Sequence, residues 1–256
     1  MTEDEVFLSH ILNCQPIDLA LKKPVLSPHQ QKLFEEYKQR RTNNEPLQYI
    51  LGTCNFMGLE LEVDPSVLVP RPETEQLVDH ALKCFKVGRA LDLGTGSGNI
   101  AIALAKFVPS SQIISVDISL QALGLAQRNA KRHKVEDRIR FINDDFLMPL
   151  CRIDARYDLI ISNPPYIPTG QLSALPRDVQ KEPVRALDGG EDGLKYSRII
   201  IKYSPYLLRE GACLMMEFGD GQAQALKKLI KTQRLFSGVE VIRDLAGRER
   251  IIKAIR

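Results

Sequence analysis

The stretch that decides the fold is RALDLGTGSGNIAIALA, residues 89–105. Its first five residues carry an apolar run that ends at glycine, too short for a helix and suited to a strand buried on both faces. Gly94, Gly96 and Gly98 then form a turn, and the unbroken apolar residues beyond it predict a helix over Asn99 to Phe107. Strand, glycine turn and helix in that order open a β–α–β unit, and such units build parallel sheets.

The rhythm continues toward the C-terminus. QIISVD (112–117), IRFIND (139–144) and YDLIIS (157–162) read as further buried strands, with a helix over Leu120 to His133 between the first two. A long Pro- and Gly-containing excursion runs to Gly193, then a helix to Leu208, the strand CLMMEF (213–218) and a helix from Gln222. VEVIRD (239–244) and ERIIKAI (249–255) are joined closely enough to pair antiparallel. The fold class is therefore α/β, a doubly wound and mostly parallel sheet.

Toward the N-terminus the spacing is helical up to about Arg41. Ser27 can cap and Pro28 suits a first helical turn, while Leu33, Phe34 and Tyr37 form one face. TCNFMGLELEVD (53–64) alternates around Met57-Gly58 and predicts a short hairpin. Pro72, with Glu73 and Glu75, marks the next helix start. The division expected is a helical N-terminal domain over 1–50, a hairpin and linker over 51–72, and the α/β domain over 73–256.

The 256 residues are 44% hydrophobic and 26% charged, which sets a disordered chain aside, and the net charge of +3 is far below the basic balance of a protein that lives on phosphate backbones, so nucleic acid is permitted and not demanded. The basic clusters KQRR (Lys38 to Arg41) and KRHK (Lys131 to Lys134) read as solvated helix faces. Cys14, Cys54, Cys84, Cys151 and Cys213 form no CxxC pair and have no histidine at ligand spacing, so neither a metal site nor a disulfide framework is expected. The start MTEDEVF is acidic, and no apolar run approaches the roughly 18 residues of a membrane span. A reduced, cytoplasmic protein with no membrane partner is expected.

The glycine turn lets backbone approach a ligand closely. Its spacing is GxGxG, with Asn99 where a dinucleotide fingerprint has Gly or Ala, and the loop carries no Lys or Arg to meet phosphate. Asp117, about 20 residues on at the end of the second strand, reads either as an acceptor for ribose hydroxyls or as a helix cap before ISLQAL. A nucleoside cofactor without phosphates fits this pattern, and S-adenosylmethionine is one. After the third strand, Asp145 can accept from an adenine amino group and Phe146 can pack on the ring, with a plain surface role the alternative for both.

The fourth strand ends in Asn163, Pro164, Pro165 and Tyr166, beside the end of the first strand at the sheet's switch point. The Asn163 amide oxygen and the Pro164 carbonyl are two acceptors that can grip one NH₂ group, and Pro165 has no N–H to compete. Tyr166 offers an aromatic face to a planar target. That set suits methylation of a planar amino or amide nitrogen, aimed at a sulfonium methyl.

NPPYI with LDLGTGSG resembles class I S-adenosylmethionine-dependent methyltransferases, a group including DNA adenine and rRNA guanine enzymes. EPLQYILG, VLVPRPETE, SNPPYIP, EPVRALDGGEDGL and DLAGRER together are similar to the peptide chain release factor glutamine methyltransferases, the HemK or PrmC family, from about Leu26 to the C-terminus. The resemblance implies a seven-stranded, Rossmann-like sheet with a small helical N-terminal domain, and N5-methylation of the glutamine in the GGQ motif of release factors. It implies a cofactor loop of Gly94, Thr95, Gly96, Ser97 and Gly98, with Asp117 at the ribose, Phe146 at the adenine, and Asn163 to Tyr166 at the target glutamine. Arg71 and Glu73 are expected near the site without an assigned role. The chain departs from the family pattern at its front, where the helical domain is shortened by a first helix. A monomer acting on a protein is expected; the competing reading, a DNA or rRNA amino-group methyltransferase using the same NPPY motif, requires a basic surface and a flipped base.

Overall fold

The computed structural model describes residues 2–22, 24–145 and 156–256. Helices α1 (Glu3–Leu12), α2 (Pro16–Lys22), α3 (Pro28–Thr42) and α4 (Leu47–Leu51) lead into strands β1 (Thr53–Phe56) and β2 (Leu59–Glu62) and helix α5 (Pro72–Cys84). The chain then alternates through β3 (Gly88–Leu93), α6 (Asn99–Phe107), β4 (Ser111–Asp117), α7 (Leu120–Arg132), β5 (Ile139–Asn143) and β6 (Tyr157–Ser162). A helical turn α8 (Val184–Leu187), helix α9 (Lys195–Leu207), strand β7 (Leu208–Glu217), helix α10 (Ala223–Thr232) and strands β8 (Gly238–Arg243) and β9 (Glu249–Ile255) complete it.

The main sheet has seven strands in the order β5-β4-β3-β6-β7-β9-β8. All neighbours are parallel except β9, which runs antiparallel to both β7 and β8. Period-two alternation sends Leu159 and Ile161 of β6 to one face, against Leu77 of α5 and Ile102 and Leu104 of α6. Ile160 turns to the other face with Leu91, Leu93 and Met216, against Ile200 and Ile201 of α9 and Leu226 of α10. Both faces are covered, which is why these strands read as continuous apolar runs.

β7 begins at Leu208, earlier than its apolar segment 213–218 suggests. Leu208 pairs with Tyr157 and the register then shifts to Leu159 with Cys213; exposed Arg209 and Glu210 and Gly211, at φ +76°, fall in that irregularity and carry no hydrophobic pattern. The hairpin turns at Met57 and Gly58, with φ of +52° and +78°, the left-handed pair of a tight type I′ connection. Glu75 on α5 accepts from the Met57 N–H at 2.6 Å and fixes this turn to the main body.

Helices α1 and α3 each start with a capping box, Thr2 with Glu5 and Ser27 with Gln30. Phe7 meets Tyr37 edge-on at 5.5 Å between ring centres, and both pack with Ile50. The two basic clusters are more than solvated faces. Arg40 donates to both Glu45 oxygens at 2.9 and 2.6 Å and to the Tyr49 carbonyl at 3.1 Å, while Arg41 reaches Glu3 at 2.9 Å. In the second cluster Arg132 pairs with Glu60, and a His133 ring nitrogen bonds the Glu60 carbonyl at 2.8 Å, docking the hairpin on α7. Among the described residues no helix is long and apolar enough to cross a membrane, and no group of three or more His, Cys, Asp or Glu is placed to hold a metal ion.

Ile160 lies in a central strand with no exposed surface. Ile160→Ala should lower the unfolding free energy by about 2–5 kcal/mol, read as a reduced urea midpoint at unchanged slope.

Candidate active site

β3 stands between β4 and β6 with Leu93 opposite Val116 on one side and Ser162 on the other. Three loops therefore leave the sheet at one level, and a cleft of about 390 Å³ opens above them. Its walls include Gly94 to Ser97 after β3, Asp117 to Ser119 after β4, Asp145, and Asn163 and Pro165 after β6. Residues from the segment before α5 (Ser66 to Leu68, Pro70, Arg71), from α5 itself (Thr74), and Arg185, Ala186, Lys195, Tyr196 and Ile199 close the rest.

The glycines divide their work. The Gly94 and Thr95 N–H groups donate to the Val116 carbonyl at 2.9 and 3.1 Å, carrying the ladder past the end of β3. A Cβ on Gly96 would meet nothing within 4 Å, so the backbone there is open. A Cβ on Gly98 would lie 2.9 Å from Ile102 and 3.1 Å from Ala126, so this glycine lets α6 and α7 approach. Asp117 accepts from the Gly96 N–H at 2.9 Å through one oxygen and from Ser119 at 2.8 Å through the other. Asp117 is not the helix cap: Ser119 caps α7, its hydroxyl accepting from the Ala122 N–H at 3.2 Å, while Asp117 closes the turn ahead of it, and each carboxylate oxygen keeps a second lone pair. Burial raises its pKa, opposed by those two N–H groups and by Arg185. Asn129 on α7 is fully buried and donates to the Ser97 and Glu62 carbonyls at 2.9 and 3.0 Å, joining the glycine loop to the hairpin.

At the other end, Asn163 Nδ2 donates to Thr74 Oγ1 at 2.9 Å, and Thr74 donates to Glu217 at 2.7 Å. The Tyr166 hydroxyl donates to the second Glu217 oxygen at 3.2 Å. Burial pushes the Glu217 carboxyl up to about 7, against the two hydroxyls and Arg250. Arg71 pairs with buried Glu182, whose other oxygen accepts from the Val69 N–H at 3.0 Å. The excursion after β6 is thereby tied to the segment before α5. It also grips the motif: Ile167 N–H donates to Leu187 at 3.0 Å, and Gly189 N–H donates to Ile167 at 2.8 Å.

Of the residues singled out from sequence, Gly94, Thr95, Gly96, Ser97, Asp117, Asp145, Asn163 and Pro165 line one cleft. Gly98, Pro164 and Tyr166 do not: Gly98 packs between helices, Pro164 is buried, and the Tyr166 hydroxyl turns to Glu217. Phe146 lies outside the described residues. Arg71 lines the cleft and Glu73 does not. Sequence reasoning missed Thr74, Asn129, Glu182, Arg185, Lys195 and Glu217. The signal available for Thr74 and Glu182 was their place inside VLVPRPETE and EPVRALDGGEDGL. It also took the glycine loop's lack of cations for the site's, whereas Arg71, Arg185 and Lys195 enter the cleft from elsewhere.

Asp92, below the loop, has no exposed surface, and burial raises its pKa from 3.8 to about 6. A folded-state pKa above the unfolded one contributes stability that is complete below the unfolded value and lost as pH rises through the folded value. Asp92→Asn removes that loss. Its melting temperature relative to the parent should therefore rise between about pH 4 and pH 7 and level off above. Thermal melts of both proteins across that range check this, and a constant difference refutes it.

Two family models match the chain: the PrmC N-terminal domain over residues 2–52 and the methyltransferase small domain over residues 72–188. A release factor glutamine methyltransferase of Geobacter sulfurreducens is 46% identical over 228 residues, 88% of this chain and 78% of that one. The protein of that name from Moorella thermoacetica is 40% identical, covering 94% of this chain and 86% of its own. Among solved structures, a methyltransferase from Pyrococcus furiosus superposes with a TM-score of 0.60 at 19% identity, covering 86% of this chain and 98% of that one. The hMettl16 catalytic domain in complex with MAT2A 3'UTR hairpin 1 gives 0.64 at 16% identity, covering 88% and 90%. The structural likeness shows the class I methyltransferase fold, and the sequence likeness goes further: the chain belongs to the release factor glutamine methyltransferase family.

Proposed function

We propose that this chain transfers a methyl group from S-adenosylmethionine to the side-chain amide nitrogen, N5, of the glutamine in the GGQ motif of peptide chain release factors. The observation that carries the reading is that one cleft joins the glycine loop and Asp117 to Asn163 and Pro165, in a chain 46% identical to a protein of that name. The activity is placed in the cytoplasm, with the chain acting as a monomer on a folded protein. In this reading residues 1–50 form the helical domain that helps hold the release factor, 51–72 the hairpin and linker, and 73–256 the catalytic domain.

The residues present fit the cofactor. Gly96 leaves its backbone open, and Asp117 keeps free lone pairs for two ribose hydroxyls. Gly94 to Ser97 would line the nucleoside, with Asp145 accepting from the adenine amino group. When bound, S-adenosylmethionine supplies a sulfonium methyl as electrophile.

Asn163 Oδ1 accepts one hydrogen of the target amide, and the Pro164 carbonyl, behind the cleft wall in this structure, accepts the other once the seated target displaces that wall; this grip aims the nitrogen lone pair out of conjugation and toward the methyl. Tyr166 contributes by position, holding the loop from behind through Glu217. As the N–C bond forms the methyl's bond to sulfur would break, its electron pair staying on what becomes a neutral thioether, and the nitrogen gives up one hydrogen as a proton to water. No side chain has to remove it beforehand.

Radiolabelled transfer offered to a release factor, its GGQ-to-GGA variant, bulk DNA and rRNA separates the readings. Label on the release factor alone, lost in GGA, is expected; label on DNA or rRNA with none on the release factor would overturn the assignment. Asn163→Ala should lower the single-turnover rate by about 100- to 1,000-fold with little change in cofactor affinity. Asp117→Ala should instead weaken cofactor binding by roughly 1–3 kcal/mol in calorimetry, and unchanged affinity would remove Asp117 from the site.

A further inference from the structure

We propose that Thr74 and Glu217 are positioning residues that fix which face of the Asn163 side-chain amide meets the target, so that its oxygen, and not its NH₂, points into the cleft. The proposal deepens the reading of Asn163 as the acceptor for the target amide and rests on it.

An asparagine amide is nearly symmetric in shape, and rotating it by half a turn exchanges an acceptor for a donor. Only one of the two orientations can accept a hydrogen from a target NH₂ group. Something besides packing must choose it. Asn163, Thr74 and Glu217 form a chain of hydrogen bonds of 2.9 and 2.7 Å, and Thr74 and Glu217 are each 1% exposed, so water does not compete along it.

The direction of the chain follows from its far end. Ionised, as it is above about pH 7, the Glu217 carboxylate only accepts. The single hydroxyl proton of Thr74 must therefore go to Glu217, which leaves Thr74 Oγ1 only lone pairs toward Asn163. Asn163 must turn its NH₂ to Thr74, and its Oδ1 is left facing away. The Tyr166 hydroxyl meets the other Glu217 oxygen under the same rule, so one carboxylate orders both polar side chains of the NPPY loop. Neither Glu217 nor Tyr166 lines the cleft, so Glu217 acts through its neighbours.

The groups facing Glu217 are Thr74 and Glu73 from α5, Tyr166 from the loop after β6 and Arg250 from β9. Arg250 favours the charged form, while Glu73 and burial oppose it. A protonated Glu217 can donate to Thr74, which frees Thr74 to donate to Asn163 and reverses the order. The same reversal is open to glutamine, whose NH₂ donates. Glu217→Gln therefore keeps the shape and removes only the rule that sets the direction.

The test is single-turnover methyl transfer with saturating S-adenosylmethionine and release factor, using Thr74→Val, Thr74→Ser and Glu217→Gln, alone and with Asn163→Ala. Thr74→Val and Glu217→Gln should each slow transfer roughly 10- to 100-fold while cofactor affinity stays within about threefold, and Thr74→Ser should recover most of what Thr74→Val loses. In the Asn163→Ala background each should cost less than about threefold more. The parent rate should fall as pH drops below about 7, and Glu217→Gln should lack that limb. If Asn163→Ala is slow but Glu217→Gln and Thr74→Val transfer at the parent rate, the ordering proposal is wrong and the Asn163 reading stands. Parent-rate transfer by Asn163→Ala removes both. Should Thr74→Val melt early, Glu217→Gln, which only neutralises a buried charge, decides alone.

Discussion

β3 is paired on both edges by parallel strands that end level with it, and the rest of the site depends on that register. Leu93 faces Val116 and Ser162, the Gly94 N–H reaches the Val116 carbonyl at 2.9 Å, and the Ser162 hydroxyl reaches the Leu93 carbonyl at 2.6 Å. The glycine loop, Asp117 and Asn163 leave the sheet from adjacent positions because their strands stop together. A slip by one residue would send each side chain to the opposite face. Burial of both sheet faces makes such a slip costly, so the apolar core fixes the relative position of groups it never touches.

The upper half of the cleft has no sheet to order it and uses long-range polar ties and glycine instead. Arg71 and the Val69 N–H meet Glu182 across more than a hundred residues of chain. Gly193, at φ +75°, lies so close to Tyr166 that a Cβ would come within 2.2 Å of its carbonyl oxygen, and Gln222 Nε2 donates to that same oxygen at 2.9 Å. Glycines in DGGEDGL thus serve to let one backbone lie on another. The motif that follows β6 is held from behind by the segment that follows it in sequence.

The sheet was legible because its signal is local. Seven apolar runs, one glycine turn and the Met57-Gly58 turn each carry their meaning within a few residues, and the helix over Asn99 to Phe107 ends where its pattern ends. The two ends of the cleft were legible for the same reason. What was not legible is the set of buried polar side chains whose meaning is their partner. Thr74 reads as a first-turn residue of α5 until Glu217, 143 positions away, lies 2.7 Å from it. Asn129 reads as one more polar position on α7 until it meets Ser97 and Glu62. Arg40 and Arg132 read as solvated because a charge pattern shows spacing and not the carboxylate opposite. The start of β7 was hidden because Leu208 alone holds the register there, ahead of exposed Arg209 and Glu210, and Arg209 finds its partner in Asp158, 51 positions away.

Asp92 and Glu217 show what the buried polar groups have in common. Each is a carboxylate with at most 1% of its surface exposed, each is raised in pKa by burial, and each sits where a strand meets the cleft. Neither is a stabilising choice, since taking a charge out of water is costly even when hydroxyls meet it. Among the described residues one oxygen of Asp92 has no hydrogen-bond partner at all. What a carboxylate offers in exchange is direction. Ser115 Oγ lies 2.9 Å from Asp92 and 2.6 Å from Thr95 Oγ1, and the Thr95 hydroxyl also meets Asp92, so the ionised carboxylate draws the hydroxyl protons of this cluster toward itself. Glu217 orders Thr74 and through it Asn163 by the same logic. At the reactive end an ionised Glu217 below the surface sets the direction of the hydroxyls above it, so the orientation of Asn163 is held by a buried group that carries its charge only above about pH 7.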